Sequence, residues 1–366
     1  MTNQELAKKA VNVRRNILKM TNAAKCGHPG GSMSAVEILL TIYGHEMDIT
    51  KENVTSTNRD RFVLSKGHAA PVLYSVLSEF GYIEEKDLLT LRKLHSKLQG
   101  HPNMNYIDAV DMSTGSLGQG ISAAVGMALS NKKVVLLYYS TFAQRAYDQI
   151  LNDIARQDLG VIIGIDRAGV VGEDGVTHQG IYDISMFMGM PNVIITMPKD
   201  SQELIGMFNY AFTLNKPFII RYPKKNEIVD LNNLDYDYQI DNTWEVLKEG
   251  NDTCIISYGP DLIRYEKLIK DNNLNVGLVN ARFIKPIDEV MLKKLFGKYN
   301  KIIVIEQVVN NGSLYSLILD YYNKNNININ VKSINFNVDT LLPHGKVEEV
   351  LNDYGLSDED ILNIIK

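Results

Sequence analysis

The sequence predicts an α/β protein in which parallel β-sheets are followed by a smaller C-terminal α/β domain. Apolar, β-rich runs at 134–139 and 160–165 enclose a segment with helical spacing, and strands alternate with helices again from Pro191 onward. Such β-α-β alternation is typical of parallel sheets. With 366 residues, 45% of them hydrophobic, the chain is long enough to bury two or three cores.

The first 130 residues are predicted to be mainly helical. An amphipathic segment predicts a helix from residue 1 to about 25, and the glycines and proline of 27–32 end it. Ser34 followed by Glu37 fits a capping box at the start of the next helix. The other elements predicted here are a short strand at 61–65 and helices at 71–80 and 121–129.

Three histidines of this region follow glycines at element boundaries, namely His28, His68 and His101. Boundary loops held by a rigid scaffold are common places for binding groups, although a single histidine is more often structural. The glycine-rich stretch 113–120, STGSLGQG, opens onto a helix, where backbone N–H groups can hold phosphate. An ordinary tight turn is an equally good interpretation of that stretch alone.

Polar and aromatic side chains collect after the strands of the next region. They are Tyr139, Phe142 and Arg145 after the first run, Arg167, Asp174 and His178 after the second, and Arg221 at the end of a third. Ligands of open α/β sheets bind beyond the carboxyl ends of the strands. Because arginine forks suit phosphate and carboxylate, a phosphorylated substrate is the natural partner. Surface ion pairing is the alternative for each arginine taken singly.

Alternation of strands and helices continues to the C-terminus, and the predicted elements include strands at 217–222 and 253–258 and a helix at 313–324. A segment rich in Asn, Asp and Lys interrupts it and predicts a linker. The predicted divisions are a partial first domain at 1–132, a partial second domain at 133–225, a linker at 226–245 and a C-terminal domain at 246–366.

Charge and cysteine content exclude several classes of partner. A formal net charge of −5 gives no general attraction to nucleic acid or anionic membranes. Cys26 and Cys254 suggest neither a disulfide framework nor a metal site, and no apolar stretch approaches the ~20 residues that span a bilayer. The basic N-terminal helix runs directly into a glycine motif instead of a cleavage-like break, so we expect a cytoplasmic protein.

Over residues 1–130, the strings GHPGG, NRDRFVLSKGHAAPVLYSVLSEFGY, GHP and STGSLGQGISAAVGMAL occur in this order. This stretch resembles the diphosphate-binding domain of transketolases, which use thiamine diphosphate. The resemblance implies that His28, His68 and His101 are catalytic residues lining the cofactor and donor-sugar channel. It also implies that the cofactor diphosphate lies against Gly115, Ser116, Leu117 and Gly118.

The strings YSTFAQRAYDQ, DRAGVVGEDGVTHQG, MPNVIITMPKD and RYP resemble the pyrimidine-binding domain of 1-deoxy-D-xylulose-5-phosphate synthases. By this resemblance Phe142 stacks on the aminopyrimidine of the cofactor, and His178 joins the catalytic histidines. The residues implied to hold the acceptor aldose phosphate are Tyr139, Arg145, Arg167, Asp174, His178 and Arg221. The strings NARFIKPID, VIEQ and DTLLPHG resemble the C-terminal domain of the same enzymes, to which we assign no site residue.

Two motifs of the family do not occur in this sequence. One is the Gly-Asp-Gly string that, with a later asparagine, holds the magnesium ion of the cofactor diphosphate. The other is the Gly-Ile-(Ala/Ser)-Glu-Gln string with the glutamate that protonates the pyrimidine ring. Family resemblance therefore implies thiamine diphosphate and Mg²⁺, but we assign no metal ligand, and we expect an incomplete thiamine-diphosphate-binding fold with an internal deletion near residue 132.

The function expected from these resemblances is transfer of a two-carbon unit to an aldose phosphate such as glyceraldehyde 3-phosphate. The alternative is a non-catalytic shortened derivative that binds sugar phosphate or associates with other subunits. A homodimer, or a complementary subunit that supplies the missing magnesium and glutamate groups, is the expected assembly.

Overall fold

The computed structural model describes residues 1–116, 120–225, 227 and 233–365. Leu117 and Gly118, two of the predicted cofactor-binding residues, lie outside this described part. The chain divides into two compact units, the first formed by Met1–Tyr138 and the second by Tyr139–Ile228 with Asp235–Lys366. Asn233 and Leu234 group with the first unit. The finer domain boundaries that the sequence suggests stay a prediction.

Helices and strands alternate along most of the described chain. The helices are α1 (Asn3–Ala24), α2 (Pro29–Met33), α3 (Val36–Thr41), α4 (Ala70–Glu79), α5 (Gly120–Leu129), α6 (Asp183–Met188), α7 (Ser201–Thr213), α8 (Asp261–Asp271), α9 (Glu289–Phe296), α10 (Leu314–Lys324), α11 (Val347–Asp353) and α12 (Asp358–Ile365). The strands are β1 (Val134–Tyr139), β2 (Val161–Asp166), β3 (Ile194–Thr196), β4 (Phe218–Tyr222), β5 (Glu245–Lys248), β6 (Thr253–Ser257), β7 (Gly277–Asn280), β8 (Phe283–Lys285), β9 (Lys301–Val309) and β10 (Asn330–Phe336). Within the described residues, no helix is both long and apolar enough to cross a membrane.

Helix α1 organises the core of the first unit. It begins with a capping box, in which the Glu5 amide donates to Thr2 Oγ1 at 3.3 Å and the Thr2 amide donates to the Glu5 carboxylate at 2.8 Å. The helix ends at Lys25, whose φ of 50° is left-handed. Val13 and Ile17 are fully buried on the face that packs with α3 and α4. An apolar stripe of this kind is what fixes an amphipathic helix to a core.

The predicted capping box at Ser34 is wrong. Helix α3 begins after Ala35, which provides no side-chain cap, and Ser34 instead ends α2. The Ser34 hydroxyl donates to the carbonyl of Gly31 at 3.2 Å. The serine therefore closes the short helix before it, because serine hydroxyls bond readily to nearby backbone groups.

The strand predicted at 61–65 is also absent from the structure. The segment is buried, as its apolar residues suggest, but the amide of Phe62 donates to Asp111 Oδ2 at 2.8 Å instead of to a neighbouring strand. The same carboxylate pairs with Arg59 at 2.5 Å and with Arg61 at 2.9 Å. A side chain that lies far away in sequence thus satisfies the backbone, which local patterns cannot reveal.

The second unit contains two mixed sheets. In one, β2, β4 and β3 are parallel, and β8 pairs antiparallel with β3. In the other, the order is β10-β9-β6-β7-β5, with β5 antiparallel at the edge. Helices accompany both sheets, so the predicted α/β class with mainly parallel strands is confirmed.

The two ends of the loop between residues 170 and 181 are part of the hydrophobic core of the second unit. Val170 and Ile181 are buried with Ile255 and Ile303 of strands β6 and β9. The intervening segment is therefore anchored at both ends by apolar packing, which favours a fixed loop conformation.

Candidate functional site

Two of the predicted catalytic histidines meet in the first unit. The rings of His28 and His68 lie edge to face with their centroids 5.1 Å apart. Gly31 packs against this pair, because a Cβ at this position would lie 3.4 Å from Nε2 of His68. The GHPGG string thus leaves room for the second imidazole.

His101 lies against Gly115 in the described first part of the glycine-rich stretch 113–120. A Cβ on Gly115 would lie 3.3 Å from Cγ of His101, and one on Gly67 would lie 2.8 Å from the Gly115 amide nitrogen. Desolvation lowers the pKa of the His101 imidazole below its ordinary value, and the charges of Arg92 and His28 lower it further. His101 is therefore mainly neutral near pH 7.

This part of the stretch has features that fit the diphosphate end of a cofactor. Backbone atoms of Gly67 and Gly115 approach each other where any side chain would intrude. The buried Thr114 hydroxyl has no hydrogen-bond partner in the described structure, and Ser116 is exposed beside it. Buried hydroxyls normally find a partner, so an unpaired one here suits a polar ligand. No group of three or more His, Cys, Asp or Glu residues suited to a metal ion occurs in the part of the chain described.

The polar cluster of the second unit is carried on a closed loop. Gly169 and Gly180 form an isolated antiparallel bridge, in which each amide donates to the other carbonyl at 2.8 Å. A Cβ on Gly180 would lie 2.1 Å from the Arg167 carbonyl oxygen, so only glycine fits. The bridge brings together the two ends of the segment that carries Asp174 and His178.

Three rings pack together beside this loop. Tyr139 lies 4.9 Å from Phe142 and 5.3 Å from His178, measured between ring centroids, and Phe142 lies 5.7 Å from His178. Instead of the α-helix suggested by the spacing after β1, a 3₁₀ segment at Ser140–Ala146 and a π segment at Gln149–Ala155 follow the strand. The tighter 3₁₀ segment places Phe142 near the end of the strand.

Charged groups border the rings. The Arg167 guanidinium lies over the Tyr139 ring at 4.7 Å and pairs with Asp166 at 2.7 Å and with Asp174 at 3.5 Å. The Tyr139 hydroxyl donates to Asp174 at 3.3 Å, and burial raises the pKa of Tyr139, so this hydroxyl stays protonated. Arg167 has a left-handed φ of 58°, a costly conformation often found at functional sites.

Two more accessible cations belong to the same cluster. Arg145 is exposed, with its guanidinium 6.0 Å from the centre of the Phe142 ring. Lys224, whose side chain is 44% exposed, pairs with Asp174 at 3.5 Å. Lys224 is not among the residues predicted from the sequence, although its position just after strand β4, three residues beyond Arg221, was an available indication.

Arg221 has different surroundings. Its side chain is 1% exposed, and Nε and Nη2 donate to the two carboxylate oxygens of Asp183 at 2.9 and 3.0 Å. Its Nη1 lies 3.2 Å from the sulfur of Met197, and its guanidinium lies over Tyr258. The structure therefore places six of the predicted residues in one cluster, namely Tyr139, Phe142, Arg145, Arg167, Asp174 and His178. Arg221 instead forms a buried ion pair with Asp183. Substrate binding by Arg221 stays a prediction, and its burial does not favour direct contact.

Comparison with known proteins identifies the domains. Three domain models match in succession, namely the transketolase thiamine diphosphate binding domain over 6–154, the transketolase pyrimidine binding domain over 119–227 and the transketolase C-terminal domain over 242–361. A solved structure described as a split gene transketolase, inactive beta4 tetramer, matches with a TM-score of 0.58 at 23% identity. The match covers 68% of this chain and 79% of that one and concerns the fold alone.

Curated relatives are 1-deoxy-D-xylulose-5-phosphate synthases. The protein of Clostridium tetani is 41% identical over 245 residues, which are 66% of this chain and 39% of that protein. The protein of Listeria innocua is 40% identical over 248 residues, 65% of this chain and 38% of that protein. The match thus spans well under half the length of these relatives. With all three domain models matched in order, the chain belongs to the transketolase family, and its matched domains indicate thiamine diphosphate as the cofactor.

Proposed function

We propose that this chain takes part in the transfer of a two-carbon unit to an aldose phosphate, with glyceraldehyde 3-phosphate as acceptor. The observation that carries the proposal is the assembled cluster of rings, carboxylate and cations around the Gly169–Gly180 bridge. This cluster contains groups that can form hydrogen bonds to hydroxyl and carbonyl oxygens, and cations that can bind a phosphate. The non-catalytic alternative is not favoured, because the chain matches both cofactor-binding domains of the family.

Each part of the cluster has a distinct task. Asp174 and His178 would contact the hydroxyl and carbonyl oxygens of the acceptor. Nδ1 of His178 is held by the Thr177 hydroxyl at 2.8 Å, so Nε2 is the nitrogen that would exchange a proton with substrate. Arg145 and Lys224 would meet the phosphate, because charged donors form the strongest bonds to its oxygens.

In the first unit, Gly115 and Ser116 would hold the diphosphate of a thiamine diphosphate molecule. In the second unit, Phe142 would stack on the pyrimidine ring of a cofactor molecule. When bound, this cofactor supplies the carbon nucleophile that carries the two-carbon unit. His28, His68 and His101 would face the donor sugar, with His101 acting as a neutral imidazole that accepts a proton. Burial lowers the pKa of the His101 imidazole, which leaves it unprotonated near neutral pH, as a proton acceptor must be.

A second polypeptide would complete this machinery. The chain spans 38–40% of its curated relatives in the aligned regions, and a related structure is described as a split gene transketolase. We propose that a complementary subunit with a different sequence supplies the magnesium ligands and the pyrimidine-activating glutamate, because both motifs are absent from this chain. The described residues contain no group of three or more His, Cys, Asp or Glu side chains that would fit the metal ion.

Replacing Arg145 with alanine is expected to weaken glyceraldehyde 3-phosphate binding about tenfold, equivalent to about 1.4 kcal/mol, within the range for a charge-assisted hydrogen bond. His178→Ala should weaken the binding of the phosphate group less than Arg145→Ala does. It should instead reduce the discrimination between glyceraldehyde 3-phosphate and its deoxygenated analogues. Calorimetric titration at two ionic strengths measures both effects. Binding should weaken at the higher salt concentration, because the phosphate partners are exposed.

Arg156→Ala is the matched control, because Arg156 is another exposed arginine of the same unit. It should bind the ligand as the wild type does. Equal affinities for all the variants, or no wild-type binding at millimolar ligand, would contradict the proposed acceptor site.

A further inference from the structure

Gln307 on strand β9 connects the C-terminal part of the second unit to the acceptor loop. Its Oε1 accepts a hydrogen bond from the backbone amide of Val170 at 3.1 Å, and its Nε2 donates to Oδ2 of Asp261. The contact with the loop is close, since a Cβ on Gly169 would lie 3.0 Å from the same Oε1. The side-chain amide of Gln307 thus uses both its acceptor and its donor, and it connects the backbone amide of Val170 to the carboxylate of Asp261.

The chemistry of this position requires an amide. A glutamate at 307 would still accept from Val170, but its second oxygen would face the carboxylate of Asp261. Two acceptors cannot share a hydrogen bond without a proton, and like charges side by side repel. Gln307 is therefore matched to Asp261 on one side and to the loop backbone on the other.

The contacts continue from Asp261 to the phosphate side of the candidate site. Asp261 forms an ion pair with Lys225, and the neighbouring Lys224 pairs with Asp174 at 3.5 Å. On the other side, Val170 follows Gly169, which forms half of the bridge that closes the loop. The loop 169–180 and the segment of Lys224 and Lys225 are thus both connected to the side chain of Gln307, which lies outside the cluster.

We propose that Gln307 is a positioning residue for the acceptor site, which sets the places of the 169–180 loop and of Lys224 through Val170 and Asp261. This inference rests on the proposed function as far as the ligand is concerned. It assigns to the C-terminal part of the chain a role in acceptor binding.

Other contacts between the same parts keep the fold intact when Gln307 changes. The side chain of Gln179 donates to the carbonyl of Pro343 at 3.0 Å, and the Tyr182 hydroxyl donates to the carbonyl of Thr340 at 3.0 Å. Val170 and Ile181 also remain packed in the core. A change at 307 is therefore expected to alter the placement of the loop while the melting temperature of the protein changes little.

The experiment compares wild type with Gln307→Glu, Asp261→Asn and the double variant that exchanges the two functional groups. Gln239→Glu is the matched control, because it is an exposed glutamine whose side chain bonds locally to the Asp237 carbonyl. Two quantities are measured for each full-length protein. They are the hydrogen exchange rates of amides 168–175 without ligand and the Kd for glyceraldehyde 3-phosphate.

Gln307→Glu should speed exchange at 168–175 and weaken ligand binding, each by about fivefold to tenfold, as expected for loss of a partly buried hydrogen bond. The double variant should return the exchange rates to within about twofold of wild type, because the amide then at position 261 can donate to the carboxylate then at position 307. Asp261→Asn alone should leave exchange at 168–175 close to wild type, since the asparagine oxygen still accepts from Gln307, but it should weaken ligand binding, because the ion pair with Lys225 is lost. The control should match wild type.

Unchanged loop exchange in Gln307→Glu, or a double variant as impaired as the single one, would overturn the proposal. If wild type fails to bind the phosphate while Gln307→Glu still loosens the loop and the double variant restores it, the proposed function fails and the positioning role stands. A melting temperature that falls in step with the exchange rates would show general destabilisation and also overturn the inference.

Discussion

Gly180→Ala is expected to destabilise the second unit by about 3 kcal/mol or more and to abolish acceptor binding, because the added methyl group meets immovable backbone. The new Cβ would lie 2.1 Å from the Arg167 carbonyl oxygen and 3.1 Å from the Gly169 amide nitrogen. Relief requires opening the Gly169–Gly180 bridge. Opening it would displace Asp174 and His178 from the rings of Tyr139 and Phe142.

Chemical denaturation followed by circular dichroism measures the loss of stability. Gly189→Ala is the control, since nothing lies within 4 Å of its added Cβ and its φ of −77° suits alanine. That variant should differ from wild type by less than about 0.5 kcal/mol. Equal unfolding midpoints for the two variants would show that the close approach at Gly180 is not present in the protein.

Asp183→Ala is expected to cost about 3–5 kcal/mol, the range for breaking a buried ion pair by removing one partner. The Arg221 guanidinium would lose two hydrogen bonds and stay charged, because the pKa of arginine lies far above neutral pH. In the wild type, burial acts to lower the pKa of Arg221, and the carboxylate of Asp183 is the main group that offsets this effect. Asp183 also accepts from the Ile184 amide at 2.9 Å at the start of α6. An uncompensated charge in the core is the main cost.

Asp183→Asn removes the charge of this side chain and keeps its shape. The amide fits the same space but can form only a weak hydrogen bond to Arg221. This variant should lose less stability than Asp183→Ala. Asp320→Ala, which removes an exposed i,i+4 partner of Lys324, is the control and should cost no more than about 0.5 kcal/mol. If Asp183→Ala unfolds at the same denaturant concentration as Asp320→Ala, then the Arg221 pair is not the buried contact described here.

Sequence patterns predicted most of the second unit, because its elements are encoded locally. Strands expected at 217–222 and 253–258 lie at Phe218–Tyr222 and Thr253–Ser257. The helix expected at 313–324 is α10, whose start is fixed by the Ser313 side chain accepting from the Ser316 amide. Apolar runs between turn residues and capping side chains are sufficient to place such elements.

Features that depend on distant contacts could not be predicted in this way. Three-residue strand β8 joins a sheet otherwise formed by earlier residues, and nothing in its local pattern distinguishes it. Arg221 lies near the carboxyl end of strand β4, as the sequence pattern predicts, but its partner Asp183 lies 38 residues earlier. Likewise, the side chain of Gln307 reaches Val170, 137 residues away. In each case the decisive group comes from another part of the chain.

A crystal structure of the chain with bound glyceraldehyde 3-phosphate tests the proposed acceptor site most directly. We expect the aldehyde and hydroxyl oxygens within hydrogen-bond distance of Asp174 and His178, and the phosphate beside Arg145 and Lys224. Binding should leave the Arg221–Asp183 pair intact. A ligand bound elsewhere, or none found in crystals soaked at concentrations well above millimolar, would contradict the assignment of this cluster as an acceptor site.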